Sequence, residues 1–418
     1  MRQPSGAARS GPSNLPETFA PTLAAAQARI AAVRPAAYAR TRNALDGAVS
    51  GLSPYITHGF VTLTDVLAGV AARHALDMQH KFVFELGWRA YFRHVWQHRG
   101  AGILCSLHEG PLPDDAYAGE LPADIRQGCT GVPVIDEAVR ALYTTGMLHN
   151  HARMWLASYV VHVRKVHWRA GADWLYSHLL DGDLASNHLS WQWVAGTGSR
   201  KPYLFNADNV ARYAPETWHS PGSVIDTSYK ALERMARQPA QEEPQNKTGA
   251  PYGKPSLDEP HLDSRPPDDL GLIAPESATV TARDVWLVHP WSLGALPAAL
   301  PPDALVIGVF VADFHRAWPW SERRWRFVCR RVAELAPQCW YGNAAAIGAA
   351  LAAARRVRSI DEPHLAPWLK RWAGCEAPAA LFPHVDRRCD SFSQWWARAT
   401  RSPGSVADLM VDKEVLEC

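Results

Sequence analysis

Apolar residues recur at helical spacing through most of the first 235 positions, and period-two alternation is rare there. Pro21 opens an Ala-rich helix that stops near Pro35. A long helix is expected over 64–100, and Pro133 stands at a first-turn position before Ile135, Ala138, Val139 and Leu142. The stretch 149–168 is apolar nearly all round except at Asn150, Arg153 and its far end, as in a helix at the middle of a bundle. From 283 the pattern changes. Two short apolar runs, 284–289 and 304–311, read as buried strands, with weaker strands at 338–341 and 357–360. Ser321 is placed to cap a helix to about Leu335, and Asn343 an Ala-rich helix to about Arg356. The expected fold class is therefore α + α/β: an all-helical half followed by a small parallel-sheet α/β domain.

Composition divides the chain further. Residues 236–282 hold eight prolines, several acids and few large apolar groups, marking a Pro-rich acidic linker between 17–235 and 283–418. Residues 1–16 are Gly/Ser/Pro-rich and read as a disordered N-terminus with no hydrophobic signal segment. The net charge of +2 is not that of a protein that coats nucleic acid. Seven scattered cysteines without a C-x-x-C pair point to free thiols in a reducing compartment and to no metal site. No eighteen-residue apolar run occurs, so no membrane partner is expected and the location is read as cytoplasmic. Eighteen tryptophans are unusual, and core packing is the default for most of them.

Polar residues then stand where the pattern says buried. Asp183, Asn187 and Trp191 share one helical face, which suits either an ordinary capped Trp-rich helix or the wall of a polar aromatic cofactor site. Glu85 and Arg89 sit at i, i+4 beside Trp88, a spacing most often used by a structural salt bridge. Arg153, on one face with Asn150 and Met154, needs an anion if buried. Ser50, Ser53 and the glycine between them can aim backbone N–H groups at a phosphate, or Ser53 can cap a helix.

Five segments in order resemble the FAD-binding helical domain of the DNA photolyase/cryptochrome family. They are Ser50-x-Leu-Ser-Pro-Tyr, Glu85-Leu-x-Trp-Arg89, Thr130-Gly-Val-Pro-x-x-Asp136, Leu148-His-Asn-x-x-Arg-Met154 and the stretch from Asp181 to Trp193. The resemblance covers about 38–215. It implies that Tyr38, Ser50, Leu52 and Ser53 hold the FAD phosphates and that Arg89 lies near the cofactor. It pairs Arg153 with Asp181 and puts Asp183 on the ring or ribitol and Asn187 at flavin N5. Glu85, Trp88, Asn150, Met154 and Trp193 would line the lesion pocket, with Glu85 and Asn150 also near the flavin. Trp191 and Trp168 would carry electrons.

Several features depart from the family pattern. No tryptophan occurs over 107–128, where the outer member of the electron chain is expected, and His151 replaces a usual Arg. The family places an α/β antenna domain first, whereas here the α/β pattern comes last. Its start faintly resembles that domain, so it is either a permuted antenna-like domain or an unrelated one, and a second antenna chromophore stays open. The resemblance implies an FAD photolyase acting on cyclobutane dimers in damaged DNA. The alternatives are a cryptochrome-like photoreceptor with a signalling partner and a photochemically inactive flavin-binding remnant.

Overall fold

The computed structural model describes residues 19–239 and 257–410. The N-terminal segment 1–16 and much of the expected linker lie outside these residues. Among the described residues twelve α-helices precede residue 237: α1 (Leu23–Ala32), α2 (Pro35–Thr41), α3 (Ser53–Thr57), α4 (Leu63–Ala71), α5 (Lys81–Arg99), α6 (Ala123–Arg126), α7 (Pro133–Thr145), α8 (Asn150–Ser158), α9 (Trp168–His178), α10 (Leu184–Ala195), α11 (Ala207–Tyr213) and α12 (Tyr229–Ala236). After them come β1 (Leu262–Asp263), α13 (Ser277–Val280), β2 (Asp284–Val288), β3 (Leu305–Val311), α14 (Ala312–Ala317), β4 (Trp320–Ser321) and α15 (Glu322–Leu335). The chain continues through β5 (Gln338–Gly342), α16 (Ala344–Leu351), β6 (Arg356–Ile360), α17 (Leu369–Trp372), β7 (Gly374–Glu376) and α18 (Phe392–Ala399). The fold is thus a helical half followed by an α/β half. No helix among the described residues is long and apolar enough to cross a membrane.

The five-stranded sheet has the order β5-β3-β2-β6-β7 with every neighbouring pair parallel. Short strands buried on both faces account for the continuous apolar run Val306 to Val311. Expected strands at 284–289, 304–311, 338–341 and 357–360 all form, within a residue or two at their ends.

Three expected elements form differently. The helix over 64–100 is two helices, α4 and α5. Between them Asp77 accepts from the Gln79 N–H at 2.8 Å, and His80 Nδ1 accepts from the Phe82 N–H at 3.1 Å. Those side chains take backbone donors that a continuous helix would use. The stretch 149–168 ends α8 in a π-helical turn at Tyr159–Val163, leaves the helix, and begins α9 at Trp168. Tertiary bonds draw the chain out there: the Ala118 N–H donates to Lys165 O at 2.7 Å, and Lys165, at φ 54°, donates from Nζ to Met235 O at 2.7 Å. Ser321 does precede α15, but its hydroxyl makes no capping bond; its backbone pairs with Leu262 in the β1–β4 ladder.

Part of the described proline-rich linker contacts the helical half. Glu259 accepts from Arg126 at 2.7 Å and from Trp174 Nε1 at 3.0 Å, and Leu257 N–H donates to Gln127 O. One core also runs through both halves, with Phe327 of α15 against Tyr55 and Phe60 at ring-centroid separations of 5.9 and 5.3 Å.

Candidate functional site

A cavity of about 910 Å³ opens among α2, α3, α5, α8 and α10, within the range of small-molecule sites. Tyr38, Ser50, Ser53, Glu85, Trp88, Arg89, Asn150, Arg153, Met154, Asp181, Asp183, Asn187 and Trp191 all line it. These positions come from five separate stretches of sequence. Three expected residues fall elsewhere. Leu52 is 1 % exposed in the core. Trp168 is buried at the start of α9 and donates from Nε1 to Ser106 Oγ at 3.0 Å. Trp193 is 40 % exposed, its ring tilted against Tyr203 at 5.7 Å.

The wall facing the middle of the cavity is the turn Asp181-Gly182-Asp183 and the helix it starts. Asp183 is the N-cap of α10 and accepts from the Ser186 N–H at 2.8 Å, which fixes the helix start. Asn187 and Trp191 follow on the same face. Asn187 spends an amide N–H on Ala172 O at 2.8 Å, leaving its carbonyl oxygen to accept. Trp191 lies so close over Gly171 of α9 that a methyl group there would overlap its ring.

The charges are arranged in pairs. Arg153 donates to both carboxylate oxygens of Asp181, at 3.0 and 2.9 Å. Burial opposes ionisation of Asp181, but Arg153 and neighbouring groups outweigh it and hold its carboxyl below the usual range. Burial likewise opposes ionisation of Asp183, and Arg93, then Arg89, hold it well below that range. Arg93 Nη2 lies 3.3 Å from Asp183 Oδ2. The i, i+4 pair Glu85–Arg89 does not form a salt bridge. Glu85 pairs with Arg42 at 3.0 Å, and Arg89 donates to Thr57 Oγ1 at 2.9 Å. Burial raises the Glu85 carboxyl above its ordinary value against the pull of Arg42 and Lys81.

Sequence reasoning passed over Arg29, Arg93 and Ser186. Arg29 lies over the Phe19 ring at 4.2 Å and against Gly51, where a Cβ would stand 2.4 Å from its Nη1. Nothing in the Ala-rich α1 announces such a contact. The donor set fits a dinucleotide with a polar ring system. Hydroxyls of Tyr38, Ser50 and Ser53 and the cations Arg29 and Arg42 line the cavity together with the Arg153–Asp181 pair, Asp183 and the Asn187 amide.

Residues 82–261 match a family model described as the FAD binding domain of DNA photolyase. A deoxyribodipyrimidine photo-lyase of Streptomyces griseus is 32% identical over 196 residues, covering 44% of this chain and 43% of that protein. The Escherichia coli deoxyribodipyrimidine photo-lyase is 34% identical over 164 residues, covering 35% and 34%. A cryptochrome DASH of Synechocystis is 34% identical over 174 residues, covering 39% and 35%. Each match spans less than half of the relative's length. The solved structure of a Synechocystis cryptochrome aligns with 26% identity and a TM-score of 0.43 over 52% of this chain and 51% of that one. Tyr38, Ser50 and Ser53 precede the matched stretch, so their place rests on the cavity alone.

Proposed function

From the premise that residues 82–261 belong to the photolyase/cryptochrome family, we propose that this chain binds FAD in the cavity and uses it for blue-light-driven repair of cyclobutane pyrimidine dimers in DNA. The observation that carries this reading is that thirteen of the sixteen side chains implied by the resemblance line one cavity of about 910 Å³. When bound, reduced FAD would supply light-driven one-electron chemistry of the kind needed to split a cyclobutane dimer.

The chain's own residues supply position and electrostatics. Ser50, Ser53 and Tyr38 would hydrogen-bond the phosphates, with Arg29 and Arg42 balancing their charge. Arg153, held by Asp181, would present a fixed cation to one edge of the ring system, and the Asn187 carbonyl would accept from another. Trp191, which lines the cavity, and the buried Trp168 would serve as electron donors for the reduction of bound FAD. Glu85, whose carboxyl burial raises above its ordinary value, would hydrogen-bond an extruded base. Asn150 and Met154 would line the mouth for that base.

One observation favours a second reading, a cryptochrome-like photosensor. The Trp88 ring is stacked on Phe392 of α18 at 4.1 Å and 9°, so one face expected to meet a base meets this chain instead. Incubating the reduced, FAD-loaded protein with dimer-containing DNA, in light and in darkness, separates the two. Light-dependent loss of dimers is the expected outcome; dimers that persist under blue light eliminate repair.

A further inference from the structure

The turn Asp181-Gly182-Asp183 sits between two parts of the molecule. The cavity lies on one side and the α/β half on the other. Three side chains of the α/β half reach three successive features of this stretch.

Arg324 of α15 is fully buried and donates to Gly182 O at 2.6 Å and to Tyr176 O at 3.3 Å. Its guanidinium lies over the rings of Trp320 at 4.0 Å and Tyr176 at 4.8 Å. A Cβ at Gly182 would stand 2.6 Å from Arg324 Nη1, so glycine is what lets the guanidinium seat there. Glu362 grips Arg93 with both oxygens, at 2.8 and 3.3 Å, and Arg93 in turn meets Asp183. His364 accepts from the Leu184 N–H at 3.5 Å while its Nδ1 faces Glu362 at 2.5 Å. Leu184 is the first residue of α10, and its N–H is one of the helix's unpaired donors.

The place these residues come from is also informative. In the order β5-β3-β2-β6-β7 the chain progresses outward in opposite directions from β2 and from β6. The crevice beyond the carboxyl ends of those two strands is where open parallel sheets take their ligands. Here the segments leaving β2 and β6 carry Trp291 and Glu362 with His364. The Trp291 and His364 rings stack at 4.3 Å and 9°, and Arg93 of α5 enters to meet Glu362. The crevice is filled by the chain's own side chains.

We propose that the α/β half uses its switch-point crevice as a brace for the cavity wall: Arg324, Glu362 and His364 are positioning residues that hold the 181–184 turn and so aim α10 into the cavity. This rests on the reading of the cavity as a cofactor site, but the brace itself is a property of the unliganded chain. A side chain anchored by a rigid neighbour presents its groups more accurately than one on a free turn.

Hydrogen exchange of the backbone amides at 182–187 tests this in the full-length chain without FAD, alongside FAD titration of the same protein. His364→Leu and Arg324→Met are expected to speed exchange at 182–187 and weaken FAD binding, each on the order of tenfold. His364→Gln, which keeps an acceptor for the Leu184 N–H, should restore most of both. Asp390→Asn removes an ion pair between the halves at the far end of α5, 3.3 Å from Arg99, and should leave exchange at 182–187 as in the parent. Unchanged exchange in both His364→Leu and Arg324→Met, or an equal change in Asp390→Asn, overturns the brace. A parent chain that takes up no FAD overturns the cavity reading instead, while the exchange measurement still decides the brace.

Discussion

At the scale of single residues, contacts rather than residue type decide what each group does. Glu85 and Arg89 have the spacing of a helical ion pair, yet each is turned to a different partner, Arg42 and Thr57. A local spacing rule cannot see a cation arriving from α2. Asp183 is the opposite case. It precedes an apolar helical run, and an Asp there supplies the bond that the first turn lacks. Gly171 gives a sharp test of packing at this scale. Replacing a mid-helix glycine by alanine ordinarily gains about 1 kcal/mol through helix propensity. At Gly171 the new methyl would collide with Trp191, and overpacking of this kind costs about 1–3 kcal/mol. Gly171→Ala is therefore expected to lower the urea midpoint and to shift the tryptophan fluorescence. A midpoint raised above the parent would show that the ring moves freely.

At the scale of elements, the sequence located the longer helices and the strands β2, β3, β5 and β6, because their apolar periodicity is strong and local. It joined elements wherever the signal for a break lies outside the element. Nothing in the pattern of 149–168 announces that Ala118 and the end of α12 will capture the backbone around Lys165. The last helix shows the same dependence. In α18, Phe392 and Trp396 close over Phe84, Gly87 and Trp88 of α5. Phe392→Ala should cost about 3–5 kcal/mol by opening a cavity there. Because Phe392 stacks on Trp88, the near-ultraviolet circular dichroism of the folded variant should also lose intensity. A variant with parental stability and spectrum would mean that α18 is not a structural seal on α5.

At the scale of the whole molecule, the two halves are joined by buried charge as well as by apolar contact. Glu362 is 6 % exposed. Burial opposes its ionisation, but Arg93 and His364 overcome that and bring its carboxyl down to about 2. Its folded value lies below its unfolded one, so its stabilising effect is complete above the ordinary glutamate value. The effect fades as pH falls from about 4.5 toward about 2. Glu362→Gln should therefore be less stable than the parent at neutral pH, by a few kcal/mol. The two stability curves should converge as pH drops through that window. Parallel curves down to the acid end would remove Glu362 from the interface energetics. The sequence by itself determined the order of the two halves, the strands and helices with strong period, and the face of α10 that carries Asp183, Asn187 and Trp191. Those follow from interactions within a few residues along the chain. Only the tertiary structure decided that Glu85 turns to Arg42, that the chain leaves the helix around Lys165 and that the α/β half fills its own crevice to grip the 181–184 turn. The contacts that make this grip join residues more than a hundred positions apart, and a buried charge takes whichever partner the packing brings to it.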